Sequence, residues 1–284
     1  GSLLACTGGS SGSDFSIDFG TATITKTVIS NDGSMIAIEG FTKDVSLTFT
    51  RVYDVKSGVK LCEFNNAKQG NLSLSTEVVN FSDDGTKLLI RWRTDSALVV
   101  NPRNGFISQK FGKIYHSFML PDGSAIIASS KQDNTEFAMY SMADGSKIKG
   151  IAFNEVGYWT TIGVNSARQI ILLGAKKKSI DSSEDLCILY WDIASNTKIS
   201  ENTFPNRQYN LSNYYGCAFS QDFSVVSLTN CCDLSNFFVD FYNTKTGVRL
   251  NSVSYFYSQD QDQSSNLSIG LANDLTFVAQ ENQS

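Results

Sequence analysis

The chain has 284 residues, 41% hydrophobic, 12% aromatic and 18% charged, with a formal net charge of -5. That is enough apolar material for a sizeable core, and the acidic balance speaks against non-specific binding to nucleic acid, which needs Lys and Arg against phosphate. No apolar run approaches the roughly 20 residues that a membrane-spanning helix requires.

The first segment, GSLLACTGGSSGSDFSIDF, reads as two strands joined by a polar loop that contains Asp14. Gly1-Ser2 matches the second half of a turn that recurs later, so the chain is expected to begin within a repeat and to be a piece of a longer protein. Two alternatives stand beside this: a bacterial lipobox ending at Cys6, or a tag remnant. The other cysteines are Cys62, Cys187, Cys217 and the adjacent Cys231 and Cys232. Most sit in strand-like text and no CxxC occurs, so buried free thiols in a reducing compartment are expected, without a zinc site.

A tight turn then recurs in SNDGSMIAI (30–38), SDDGTKLLI (82–90), LPDGSAIIA (120–128), VNSARQIIL (164–172), SQDFSVVSL (220–228) and ANDLTFVAQ (272–280). Asp-Gly and its relatives make such turns because glycine tolerates positive φ and Asp binds its own backbone. The runs that follow alternate or are β-branched, as strands do. A second turn follows each in 52–64, 99–111, 139–151, 190–200 and 241–253. Between the two turns an Asp precedes the middle strand: Asp44, Asp95, Asp133, Asp185 and Asp233, where its carboxylate can accept loop N–H groups. Each unit therefore reads as four strands. The first-turn positions Asp32, Asp84, Asp122, Ser166, Asp222 and Asp274 are 38 to 56 residues apart, near the ~40–45 of four-stranded propeller blades.

This pattern resembles the WD40-repeat family of β-propellers over nearly the whole chain. The resemblance is carried by the DG turn, the loop Asp and the position of the family's Trp-Asp dipeptide. That dipeptide occurs once as Trp191-Asp192 and is replaced by Tyr53-Asp54, Val100-Asn101, Tyr140-Ser141 and Tyr242-Asn243 elsewhere. The family's Gly-His dipeptide is absent, and the sole histidine, His116, lies in the strand-like IYHSFML. The family's internal Asp–His–Ser–Trp hydrogen-bond set is therefore not expected in standard form. The resemblance implies an all-β propeller in one domain over residues 1–284, seven blades with the first and last incomplete, six as the runner-up. It also implies docking of protein partners.

In such a fold the short turns share one face, and the connections 65–76, 174–186, 202–213 and 258–266 share the other. Long loops on a rigid frame concentrate binding residues. Tyr158, Trp159, Tyr209, Tyr214, Tyr215, Tyr255 and Tyr257 gather near these loops as candidate partner-binding residues, or as strand starts packed between blades. Arg91-Trp92-Arg93 reads as a strand end, and Lys176-Lys177-Lys178 as a solvated loop beside Asp181, Glu184 and Asp185. One histidine and no catalytic motif leave little for an enzyme, and no cofactor or metal is expected. The reading is a non-catalytic scaffold in a larger intracellular assembly, with cytoskeleton or cilium as analogies. An outward-facing lipid-anchored propeller binding a sugar or small ligand and a metal-dependent hydrolase or lactonase are the alternatives.

Overall fold

The computed structural model describes residues 2–5, 15–18, 22–42, 44, 46–67, 76–92, 95–129, 136–152, 158–164, 169–177, 184–204, 217–220, 224–233, 236–256, 267–271 and 277–281. All of its regular elements are strands. β1 (Ser2–Ala5) and β2 (Phe15–Asp18) pair alone. β3 (Thr23–Ile29), β4 (Met35–Phe41), β5 (Leu47–Asp54) and β6 (Lys60–Ala67) form an antiparallel sheet in chain order. So do β7 (Thr76–Phe81), β8 (Leu88–Trp92), β9 (Ser96–Val100) and β10 (Ile107–Gly112). The third set is β11 (Ser117–Met119), β12 (Ala125–Ser129), β13 (Glu136–Ser141) and β14 (Lys147–Ala152). The fourth is β15 (Tyr158–Val164), β16 (Gln169–Lys177), β17 (Glu184–Asp192) and β18 (Thr197–Phe204). The fifth is β19 (Cys217–Phe219), β20 (Val225–Asp233), β21 (Asn236–Asn243) and β22 (Arg249–Phe256). β23 (Leu267–Leu271) and β24 (Phe277–Glu281) form a final pair.

The turns explain why the chain folds back so regularly. In the first turn of a sheet, the carboxylates of Asp32, Asp84 and Asp122 accept the N–H of Ser34, Thr86 and Ser124 at 3.0, 2.9 and 2.9 Å. Gly33, Gly85 and Gly123 follow with φ between 64 and 68°, a region a side chain disfavours. The second turn uses the dipeptide position. Asp54, Ser141, Asp192 and Asn243 each end a third strand and Asn101 follows one, and each accepts an N–H from the turn that follows. Asp, Asn and Ser serve there alike because each carries an oxygen acceptor on a short side chain. The left-handed residue of this turn is Gly58, Gly105, Gly145, Asn196 or Gly247. In each sheet the ladder between third and fourth strand shifts register beside that dipeptide, which adds local twist.

Core packing follows from the two-residue strand period. In β8, Leu88 and Ile90 join a cluster with Met35, Ala37 and Val52 of the preceding sheet. Leu89, between them, joins Met119, Ile126 and Ala128 of the following sheet. In β12 the same alternation sends Ile126 and Ala128 backward, and Ala125 and Ile127 forward to Val164, Leu189 and Trp191. These two sheets are thus covered on both faces by their neighbours, which is why β9 and β12 are buried throughout. First strands neighbour one another from sheet to sheet: β3 with β7, β7 with β11, β11 with β15, β19 with β23, and β23 with β3.

Candidate functional site

The two faces of the ring of sheets differ in chemistry. At one face, first and second turns of a sheet are tied together: Val55 N–H donates to the Ser34 carbonyl, Met142 to Ser124 and Thr244 to Ser224. These tight turns satisfy part of their own backbone. The antiparallel order sends every other connection to the opposite face. There the Asp44 carboxylate accepts the Ser46 N–H at 3.1 Å and the Thr42 hydroxyl at 2.6 Å, and these bonds hold its pKa at about 2. Asp95 turns its chain at the same level, and its carbonyl accepts from Ile114 N–H at 3.0 Å.

Other expected loop Asp residues differ. Asp185 lies inside β17, paired with Lys176, because the ladder starts one residue earlier than the loop reading allows. Asp233 ends β20 and pairs Asn236 of β21. Asp14 and Asp133 lie outside the described residues. So do Tyr209, Tyr214, Tyr215 and Tyr257, together with Cys6, Arg93 and Lys178. Tyr158 begins β15 opposite Ala175, and Trp159 pairs Gly174, in keeping with the strand-start alternative. Tyr255 stands in the fourth strand β22, opposite Phe237. The segments read as long connections are shorter than expected, since 65–67, 174–177, 184–186 and 202–204 are strand.

What the structure assembles at the long-loop face is a charged cluster across three successive sheets. Glu39 of β4 accepts the Thr25 hydroxyl at 2.8 Å and, across the sheet boundary, the Val78 N–H at 3.1 Å. Lys26 of β3 pairs Glu77 of β7 at 3.0 Å. Arg91 of β8 pairs the same Glu77, and its Nη1 donates to the Tyr115 carbonyl at 2.9 Å and to His116 Nδ1 at 3.1 Å. Arginine cannot accept a hydrogen bond, so Nδ1 carries the lone pair and the neutral ring holds its proton on Nε2.

Burial raises the pKa of Glu39, against the opposing pull of Lys26, the Thr25 hydroxyl, the Val78 amide and Arg91. Burial also lowers that of Arg91, which the Glu39 charge partly restores. His116 is driven down to about 4, first by burial and then by Arg91. It sits just before β11, not in a strand, and its carbonyl accepts the Ser129 N–H at 2.7 Å. Nearby, Thr76 and Ser117 open β7 and β11 with buried hydroxyls that have no partner among the described residues. Shifted groups gathered at one face mark a candidate site. Sequence reading missed Glu39 and Glu77; the signal was an acid inside otherwise apolar strand text, MIAIEGF and TEVVNF.

The cluster ties three sheets together, and its acids and bases satisfy one another. Among the described residues no group of three or more His, Cys, Asp or Glu is placed to hold a metal, and no helix is long and apolar enough to cross a membrane.

Comparison with protein-family models and with curated proteins gives no match. Solved structures do match. The WD40 repeats of RRP9 superpose with a TM-score of 0.58 at 14% identity, covering 94% of this chain and 76% of that one. U3-55K gives 0.59 at 13% identity, covering 94% and 77%. A chain of the mitotic checkpoint complex gives 0.55 at 11% identity, also covering 94% and 77%.

Proposed function

We propose that this chain, an all-β propeller of the WD40-repeat type, is a non-catalytic scaffold that docks protein partners on its long-loop face within a larger assembly. The observation that carries this is the contrast between faces. One is closed by turns that satisfy themselves, and the other presents half-buried charge drawn from three sheets. A rigid frame whose variable connections leave from one face suits recognition. One of the similar chains comes from a structure described as the mitotic checkpoint complex, and a subunit role here is in keeping with that. An intracellular setting, cytoskeleton or cilium included, belongs to the same proposal. The packing of β23 against both β19 and β3 supports six blades over seven.

The test is native fractionation of the protein tagged at its own locus. Elution in an assembly much larger than itself, with defined co-eluting proteins, is the expected result. Elution alone, or turnover of a substrate by the purified protein, overturns the proposal.

A further inference from the structure

We infer that a pocket at the long-loop rim of the β7–β10 sheet binds a short acidic peptide segment. Its carboxylate lies between two lysines and an adjoining apolar side chain rests on Trp92. The inference rests on the docking role proposed above and names the partner chemistry for one part of that face.

The pocket has a volume of about 330 Å³ and is lined, among the described residues, by Trp92, Asp95, Ser96, Lys110, Gly112 and Lys113. It forms where the end of β8, the start of β9 and the end of β10 reach the same level. Trp92 packs against the buried cluster that holds Val78 and Ile90, and its carbonyl accepts the Ser96 hydroxyl. The indole is therefore held in place before any ligand arrives, as an aromatic anchor needs to be. Among the described residues, two lysines and one aspartate share this lining with it. That balance complements a single negative charge. A phosphate dianion would meet the Asp95 carboxylate as well as the lysines, so a peptide carboxylate is the better fit.

Lys113 supplies an independent observation. Its φ is 58°, and the only other described non-glycine residue with positive φ is Asn196. Asn tolerates this region through its short polar side chain; lysine has no such relief. A glycine would hold the same backbone freely. What lysine adds, at a steric cost, is a positive charge on a residue that lines the pocket, and strain of this kind collects at binding sites. Gly112 beside it leaves the space open: a Cβ there would meet nothing within 4 Å.

The experiment follows the Trp92 indole N–H resonance of the full chain, assigned with Trp92→Phe, during titration with acetyl-Leu-Glu-Leu-amide. The Gln counterpart and inorganic phosphate are titrated in parallel. A saturable shift with the Glu peptide, about tenfold weaker with Gln, supports the inference. Lys113→Gly should weaken binding about tenfold with Tm unchanged or higher, and Gly112→Leu should abolish it with Tm retained. No saturable shift, equal binding of the Gln peptide, or tighter binding of phosphate overturns it. Photo-crosslinking of partners from Asp44 separates the two proposals. Crosslinks without a Trp92 response leave docking standing and remove the pocket, and a Trp92 response without crosslinks does the reverse.

Discussion

Acidification from pH 7 to pH 5 should weaken the fold through one residue, His116. In the folded chain its pKa is about 4, against an ordinary 6.5. The folded state therefore binds fewer protons than the unfolded state between those values. Stability is present above 6.5 and is lost as pH falls toward 4. Fully expressed, such a difference is worth about 3 kcal/mol. The ring is only partly buried, so solvent screening cuts this to about 1–2 kcal/mol, of which about 1 falls between pH 7 and pH 5. Asp32 and Asp44 do not confuse that window. Their carboxyls sit at about 2, so their contribution is lost only below the ordinary 3.8. Glu39 acts in the opposite sense: its raised pKa adds stability as pH falls. The comparison is therefore urea unfolding of the native chain against His116→Gln at both pH values, where the Glu39 effect is common to both proteins. Because His116 is the only histidine, its imidazole proton resonance also gives the pKa directly. Titration near 6.5, or a His116→Gln chain with the same acid sensitivity, would refute the burial of His116 beside Arg91.

Three further outcomes follow from the geometry. Gly40→Ala should cost about 3 kcal/mol in urea unfolding, because a Cβ there would lie 2.4 Å from the Thr23 carbonyl and 2.7 Å from the Phe49 ring; a cost under about 1 would contradict that packing. Glu39→Gln should gain stability relative to the native chain as pH rises from 4 to 7, since the native carboxyl must ionise against burial; a flat difference in chemical unfolding would count against it. Asn80→Ala should cost about 2 kcal/mol because its amide both donates to the Met119 carbonyl at 2.9 Å and accepts the Met119 N–H at 3.0 Å, joining β7 to β11. Hydrogen exchange at Met119 should rise with it, and unchanged protection there would remove that role.

The parts of the fold legible in the sequence are those determined by a few adjacent residues. Asp32-Gly33 and Asp84-Gly85 announce their turns because carboxylate, amide and left-handed glycine all lie within two or three positions. The dipeptide position survives as Val100-Asn101 and Tyr140-Ser141 because the turn needs an acceptor oxygen rather than one residue type. Alternation in LLI and AIIAS announces strands but not which neighbour each side chain meets. That is why the Glu39–Val78 and Arg91–His116 contacts were not legible: they depend on three sheets arriving side by side. Asp185 and Asp233 were misplaced because a carboxylate before apolar text reads alike in a loop and at a strand end. Of the aromatic candidates, Tyr158 and Trp159 open a first strand and Tyr255 lies near the end of a fourth; the others lie outside the described residues.

The most direct measurement is photo-crosslinking in cells from two positions on opposite faces. One probe replaces Asp44, exposed at the long-loop face, and the other replaces Asn104, exposed in a second turn. A docking scaffold of the proposed kind gives protein crosslinks from position 44 and few from position 104. Crosslinks confined to position 104, or none from either, would contradict it.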